Sequence, residues 1–387
     1  MKNNIYREDF LVFGAPLIGD EEINEVVDCL KSGWLGTGPK VKYFEDQFKN
    51  YKDAEFSVAL NSCTAALHLS IVALGLKEGD EIITTPMTFC ATINAIIHSG
   101  ATPVLADVDS ETMNIDPVKI QEKITNKTKC ILPVHFAGRP CNMEGIMGIA
   151  RENDLYVIED CAHAIETKYK GKSIGTFGDF GCFSFYVTKN LITGEGGMLL
   201  AKTEENANHI KKLALHGMSQ DAWKRFSDSG YQHYLVEDAG YKYNMMDLQA
   251  AIGMHQLKSI EKNWVRRQEI WEYYNESFKK LPIKIPAPPL EDNIHGYHLY
   301  TIMINEKKVG LNRDQFLNKM HKRNIGTGVH YLSIPEHPFY QKKYDWKAKD
   351  YPIAMKIGEE TVSLPLTPKL TDFDIESVVN TVKEIID

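Results

Sequence analysis

From about residue 55 to 200, short β-rich apolar runs alternate with helical patterns. The runs predict strands at Ser57 to Leu60, Glu81 to Thr85, Pro103 to Val108, Cys130 to Phe136, Tyr156 to Asp160, Gly181 to Tyr186 and Gly197 to Ala201. Helical patterns fill most of the gaps, at Ala65 to Leu74, Ala91 to His98, Pro117 to Ile124 and Met143 to Asn153. Such alternation specifies an α/β fold, a mainly parallel seven-stranded sheet covered by helices on both faces. Met245 to Leu281 then reads as one long helical stretch bridging to a smaller α+β domain. There His298 to Ile304 is expected as a strand, and Arg313 to Arg323 and Asp372 to Ile386 as helices. Proline-rich segments at Pro282 to Pro289 and Leu364 to Pro368 punctuate that second part. The expected division is a large domain over 15–255, preceded by an arm at 1–14, and a small C-terminal domain over 256–387.

Composition narrows the class. A chain of 387 residues, 43% hydrophobic and 25% charged, can bury a large core. A net charge of -8 without a basic run argues against nucleic acid or an anionic membrane as the main partner. The first residues lack an apolar core of signal-peptide length, and no segment reaches about 18 uninterrupted apolar residues. A cytoplasmic protein is expected. The seven cysteines, all in the first half and without a C-x-x-C pair, read as reduced structural thiols, with no metal site.

Candidate chemistry starts at Lys189. It follows the apolar run Phe183-Ser184-Phe185-Tyr186-Val187-Thr188 and precedes Gly194-Glu195-Gly196-Gly197. A poorly solvated lysine there has a depressed pKa and can hold an aldehyde as a Schiff base. About thirty residues upstream, Tyr156-Val157-Ile158-Glu159-Asp160 reads as a buried strand ending on an acidic pair, with His163 beyond it. An aspartate at that edge can hold a protonated pyridine nitrogen. After the first strand, Asn61-Ser62-Cys63-Thr64-Ala65 puts small hydroxyl residues at a helix start. The pattern fits a plain N-cap and an anion site equally.

The segments T-A-A-L-H at 64–68, P-M-T-F-C-A-T at 86–92, E-D-C-A-H-A at 159–164, S-F-Y-V-T-K-N-L-I-T-G-E-G-G at 184–197 and Y-K-Y-N-M-M-D-L-Q-A at 241–250 occur in that order. Together they resemble the sugar aminotransferases of the DegT/StrS type, over about Ala15 to Pro368. That family belongs to fold type I of the pyridoxal phosphate enzymes, the fold of aspartate aminotransferase. The resemblance implies pyridoxal 5'-phosphate as cofactor, with Lys189 as its Schiff-base lysine and proton shuttle and Asp160 paired with the ring nitrogen. His163 falls near the ring hydroxyl, Phe89 at the position that stacks on the ring, and Thr64, Ala65 and Ser184 at the phosphate. Asn244 matches an asparagine that reaches the phosphate of the neighbouring subunit, which implies a homodimer with shared active sites.

For substrates, the resemblance implies a ketosugar nucleotide, 4-keto from the segment Ser32 to Pro39 that holds Trp34 and Thr37, and L-glutamate as donor. His330 and Tyr331 match a segment near the sugar nucleotide. Trp34 also suits a core position and His330 a plain loop histidine. Arg225, Arg266 and Arg267 are open candidates for diphosphate or donor carboxylate. Glu166 and Ile192 depart from the common glycine and threonine of the family; neither is expected to touch the chemistry, but both can alter the local backbone or substrate pocket. Relatives that dehydrate sugars at carbon 3 carry histidine in place of the lysine, which Lys189 argues against. A non-catalytic regulator on this scaffold is the alternative from another class. A nicotinamide site is excluded, since the first turn lacks G-x-G-x-x-G.

Overall fold

A computed structural model describes residues 7–218 and 235–386. Along the chain the first elements are α1 (Asp20–Ser32), α2 (Pro39–Lys52), β1 (Phe56–Leu60), α3 (Cys63–Ala73), β2 (Glu81–Thr84), α4 (Cys90–His98), β3 (Thr102–Leu105), α5 (Pro117–Gln121), β4 (Thr128–Leu132), α6 (Met143–Glu152) and β5 (Tyr156–Asp160). A short hairpin follows, β6 (Lys168–Tyr169) and β7 (Lys172–Ser173), and then β8 (Phe180–Ser184), β9 (Gly197–Ala201) and α7 (Glu204–Ala214). Seven strands form one sheet in the order β1-β9-β8-β5-β4-β2-β3, and only β9 runs against the others. The predicted strands are therefore present, with ends shifted by a few residues. Residues 133–136, expected to continue β4, instead turn into a short 3-10 segment at Phe136–Gly138.

Two apolar layers sandwich the sheet. One packs α2 and α6 through Phe44, Phe48 and Ile146 against Ile83, Ile131 and Phe183. The other packs α3 and α7 through Leu67, Leu69 and Ile210 against Ile82, Leu132 and Leu199. Alternate strand residues feed opposite layers, as the two-residue period of a strand requires. All strands but β9 point their carboxyl ends the same way, so the turns after β1, β2, β5 and β8 gather on one edge, where open α/β sheets hold ligands.

The long stretch expected over Met245 to Leu281 is two helices, α8 (Asp247–Lys258) and α9 (Ile260–Phe278), broken at Ser259. The break follows from burial against different partners. Gly253 of α8 approaches Phe44 so closely that a Cβ would lie 2.7 Å from its ring, whereas Ile270, Trp271, Tyr274 and Phe278 of α9 enter a separate C-terminal core. That core includes the antiparallel pair Tyr300–Met303 and Thr361–Leu364 and the helices Arg313–Lys322 and Asp372–Ile386. Strand Thr361–Leu364 ends where the second proline-rich segment begins. The N-terminal segment joins this core through a backbone pairing of Leu11 with Ile325. None of the seven cysteines is in a disulfide.

Candidate active site

The gathered turns enclose a cavity of about 620 Å³, within the usual range for small-molecule sites. Lys189 and Asp160 both line it. Lys189 sits in the turn between β8 and β9, its N–H bonded to the carbonyl of Tyr186 at 2.8 Å. Burial pulls its amine down to about 8, and Asp160 and Cys63 oppose the shift. A substantial neutral fraction near neutral pH makes it a nucleophile. Asp160 ends β5. Its Oδ1 accepts the Ala162 N–H at 3.1 Å and its Oδ2 the Thr92 hydroxyl at 2.8 Å. Burial raises this carboxyl, and those donors and Lys189 pull it back.

Strand alternation separates the acidic pair. Glu159 points into the opposite layer, where it accepts N–H groups of Gly175, Phe177 and Gly178 and lies 3.2 Å from His135 Nε2. It is therefore fully engaged in structure. Thr88 and Thr92 neighbour Asp160, a placement that the sequence alone does not signal by residue type. Their hydroxyls are 2.7 Å apart and form a relay ending on Asp160. Their i, i+4 spacing across the start of α4 was the available signal.

His163 is held from both sides. The Ala137 N–H donates to its Nδ1 at 3.2 Å, so in the neutral ring Nε2 carries the proton and donates to the Tyr331 hydroxyl, 3.0 Å away. Burial, with Lys189 and His330 nearby, keeps this imidazole well below its usual pKa. The Tyr331 hydroxyl hydrogen is then free to donate elsewhere, and Tyr331 lines the cavity. His330 also lines it, with Nδ1 2.8 Å from Ser363 Oγ, and burial lowers it to about 3. A neutral, fixed imidazole results. Phe89 stands on the rim, 59% exposed. A phenylalanine this open is not core, and its ring face is free to stack on a flat ligand.

At the start of α3 the structure settles part of the N-cap question. Ser62 Oγ accepts the Ala65 N–H at 3.1 Å, so Ala65 is occupied by the cap. The preceding Cys63 and Thr64 line the cavity, and their first-turn N–H groups lie outside the helix's own bonding. Gly197 makes this approach possible, since a Cβ there would meet the Ser62 carbonyl carbon at 2.5 Å. Ser184 lies on the cavity wall too. Glu195, which had no assigned role, also lines it.

Trp34, Thr37 and Asn244 lie elsewhere, around a second cavity of about 410 Å³. Asn244 Nδ2 donates to Thr37 Oγ1 at 2.6 Å, and Trp34 Nε1 to the Thr37 carbonyl at 3.3 Å. The Asp247 carboxylate shapes this loop by accepting N–H groups of Gly38, Lys40 and Val41. Trp34 is 53% exposed, which removes the reading of it as a core plug. Of the arginines, Arg225 lies outside the described residues. Arg266 is tied to Asp372 and Glu269. Arg267 is buried, donates to the Leu366 carbonyl at 2.7 Å and borders a narrow space behind Lys189. Ile192 borders the same space. Glu166 does not line the main cavity; its carboxylate holds Asn190, the residue after Lys189, and so bears on the local backbone there.

A low-pKa lysine, a buried acceptor carboxylate, a helix N-terminus and an exposed aromatic ring around one cavity fit pyridoxal phosphate at its aldehyde, ring nitrogen, phosphate and ring face. Fold and site define a fold type I transferase dependent on that cofactor. The sequence model of the DegT/DnrJ/EryC1/StrS aminotransferase family matches residues 16–383. The spore coat polysaccharide biosynthesis protein SpsC of Bacillus subtilis is 48% identical over 381 residues, 98% of each chain. The putative sugar aminotransferase Spr1654 of Streptococcus pneumoniae, solved in its PMP form, superposes with a TM-score of 0.90 at 32% identity over 97% of each chain. DesI, solved in the presence of its TDP-sugar product, superposes with a TM-score of 0.87 at 26% identity, over 98% of this chain and 93% of that one. The chain belongs to the DegT/DnrJ/EryC1/StrS aminotransferase family. Among the described residues no helix is long and apolar enough to cross a membrane.

Proposed function

We propose that this protein transfers the amino group of L-glutamate to the ketone of a ketosugar nucleotide, at carbon 4 of the sugar, in a two-step ping-pong cycle. The observation that carries the reading is the placing of Lys189, whose desolvated amine is lowered to about 8, and the buried Asp160 on the walls of one cavity. Bound pyridoxal phosphate supplies an aldehyde for amines and a sink for the electron pair left when a C–H bond breaks. Lys189 holds the cofactor at rest, then acts as general base at Cα of the donor. In the second half it returns a proton to the sugar carbon that gains nitrogen. Asp160 keeps the ring nitrogen protonated throughout, with Thr92 and Ala162 fixing its carboxylate.

Phe89 covers the ring face, His163 and Tyr331 lie beside the ring hydroxyl, and Thr64 with Ser184 holds the phosphate. His330 and Tyr331 also border the sugar. Asn244, with Trp34 and Thr37, serves the cavity of a second subunit, so the working unit is a homodimer. The TDP-sugar product of DesI and the polysaccharide role named for SpsC support a nucleotide-linked sugar feeding a glycan. The test is to prepare the pyridoxamine form and offer a panel of ketosugar nucleotides. Return of the pyridoxal spectrum with 4-keto sugars supports the reading, and silence across the panel refutes it.

A further inference from the structure

Glu166 is 4% exposed, and among the described residues no cation approaches it within ion-pair distance. Both its oxygens lie 2.9 Å from Asn190 Nδ2. The same nitrogen lies 2.7 Å from the Gly296 carbonyl, so one amide hydrogen serves Gly296 and the other is shared across the carboxylate. Asn190 Oδ1 is 2.9 Å from His298 Nδ1, which makes that nitrogen the donor, and the His298 ring centre is 4.3 Å from that of His163. One buried carboxylate thus ties down the turn carrying Lys189 and, through Asn190, the histidine packed at a tilt against His163.

We propose that Glu166 is a positioning residue for Lys189, acting through Asn190, and that its ionised form holds the working geometry. The inference rests on the reading of Lys189 given above. A symmetric two-oxygen acceptor suits a carboxylate, because a proton on either oxygen would face an N–H donor. The groups around it are Asn190 on the lysine turn, Tyr51 and Lys52 on α2, Arg267 on α9 and, one bond further on, His298. Burial raises the Glu166 carboxyl to about 7, against the pull of Arg267, Asn190 and Lys52. Protonation would remove the two-oxygen acceptor, so the anchor holds on the alkaline side of this titration and is released on the acid side.

The test loads wild type, Glu166→Gln, Asn190→Ala and the surface control Glu144→Gln with pyridoxal phosphate. It records the pH midpoint of the bound cofactor's visible band, and the pH profile of a single turnover with L-glutamate. Glu166→Gln and Asn190→Ala should move the spectral midpoint by about half a unit or more, and Glu166→Gln should flatten the acid limb near pH 7, while Glu144→Gln matches wild type. A Glu166→Gln protein with wild-type melting temperature, midpoint and acid limb overturns the proposal. If that variant fails to fold, Asn190→Ala, which removes the contact and leaves the carboxylate, is read in its place, and an unchanged midpoint and acid limb overturn the proposal. A wild type without a visible band refutes the Lys189 reading itself and removes this proposal with it.

Discussion

His163 Nε2 lies 3.0 Å from the Tyr331 hydroxyl, across the junction of the sheet edge and the C-terminal core. With Nδ1 occupied by the Ala137 N–H, the imidazole is the donor in this pair. The tyrosine hydrogen is then free to donate to another group. Tyr331→Phe removes that donor and strands a buried N–H, a loss of about 1–2 kcal/mol. Single-turnover rates should fall roughly tenfold, with the visible spectrum of the loaded protein retained.

Phe89 is exposed on the cavity rim, where the proposed cofactor ring would cover it. Phe89→Ala should leave thermal stability of the cofactor-free protein within about 0.5 kcal/mol, as an exposed substitution does. Cofactor affinity should weaken roughly tenfold through lost stacking. Denaturation and spectrophotometric titration measure the two effects separately.

Lys189 also sets a pH dependence of stability. Its folded pKa, about 8, lies below the unfolded lysine value, so between these values the unfolded chain binds more protons. Stability from this group rises as pH climbs through that window, and at pH 7 the buried amine costs on the order of 2–3 kcal/mol. Cofactor-free Lys189→Met should therefore be more stable than wild type at pH 7, with the advantage shrinking toward pH 10. Denaturant unfolding at both pH values reads it.

The proposed homodimer with shared sites predicts complementation. Lys189→Ala and Asn244→Ala subunits, each poorly active alone, would form hybrid dimers with one intact site and one doubly damaged site. Random mixing makes half the dimers hybrid, so about a quarter of wild-type activity should return. Sites complete within one subunit would give no recovery.

Legibility in the sequence followed the source of each constraint. Tyr156 to Asp160 and Gly197 to Ala201 have the ends that the sequence predicts, because short buried apolar stretches there are marked off by an acidic pair in one and by glycine in the other. The break at Ser259 was not read, since α8 and α9 are helical on either side and only their different packing partners separate them. In the site, Lys189 and Asp160 stood out by context. The Thr88 and Thr92 relay and the Glu166 anchor did not, because hydroxyl and acidic residues acquire those roles only from neighbours 68 and 24 residues away in the chain.

The most direct test follows the visible absorbance of the purified protein on adding pyridoxal phosphate, L-glutamate and then a 4-ketosugar nucleotide. Wild type should gain a visible band, lose it with glutamate and regain it with the ketosugar, while Lys189→Ala does none of these. A Lys189→Ala protein that still aminates the ketosugar would contradict the assignment of Lys189, and with it the mechanism.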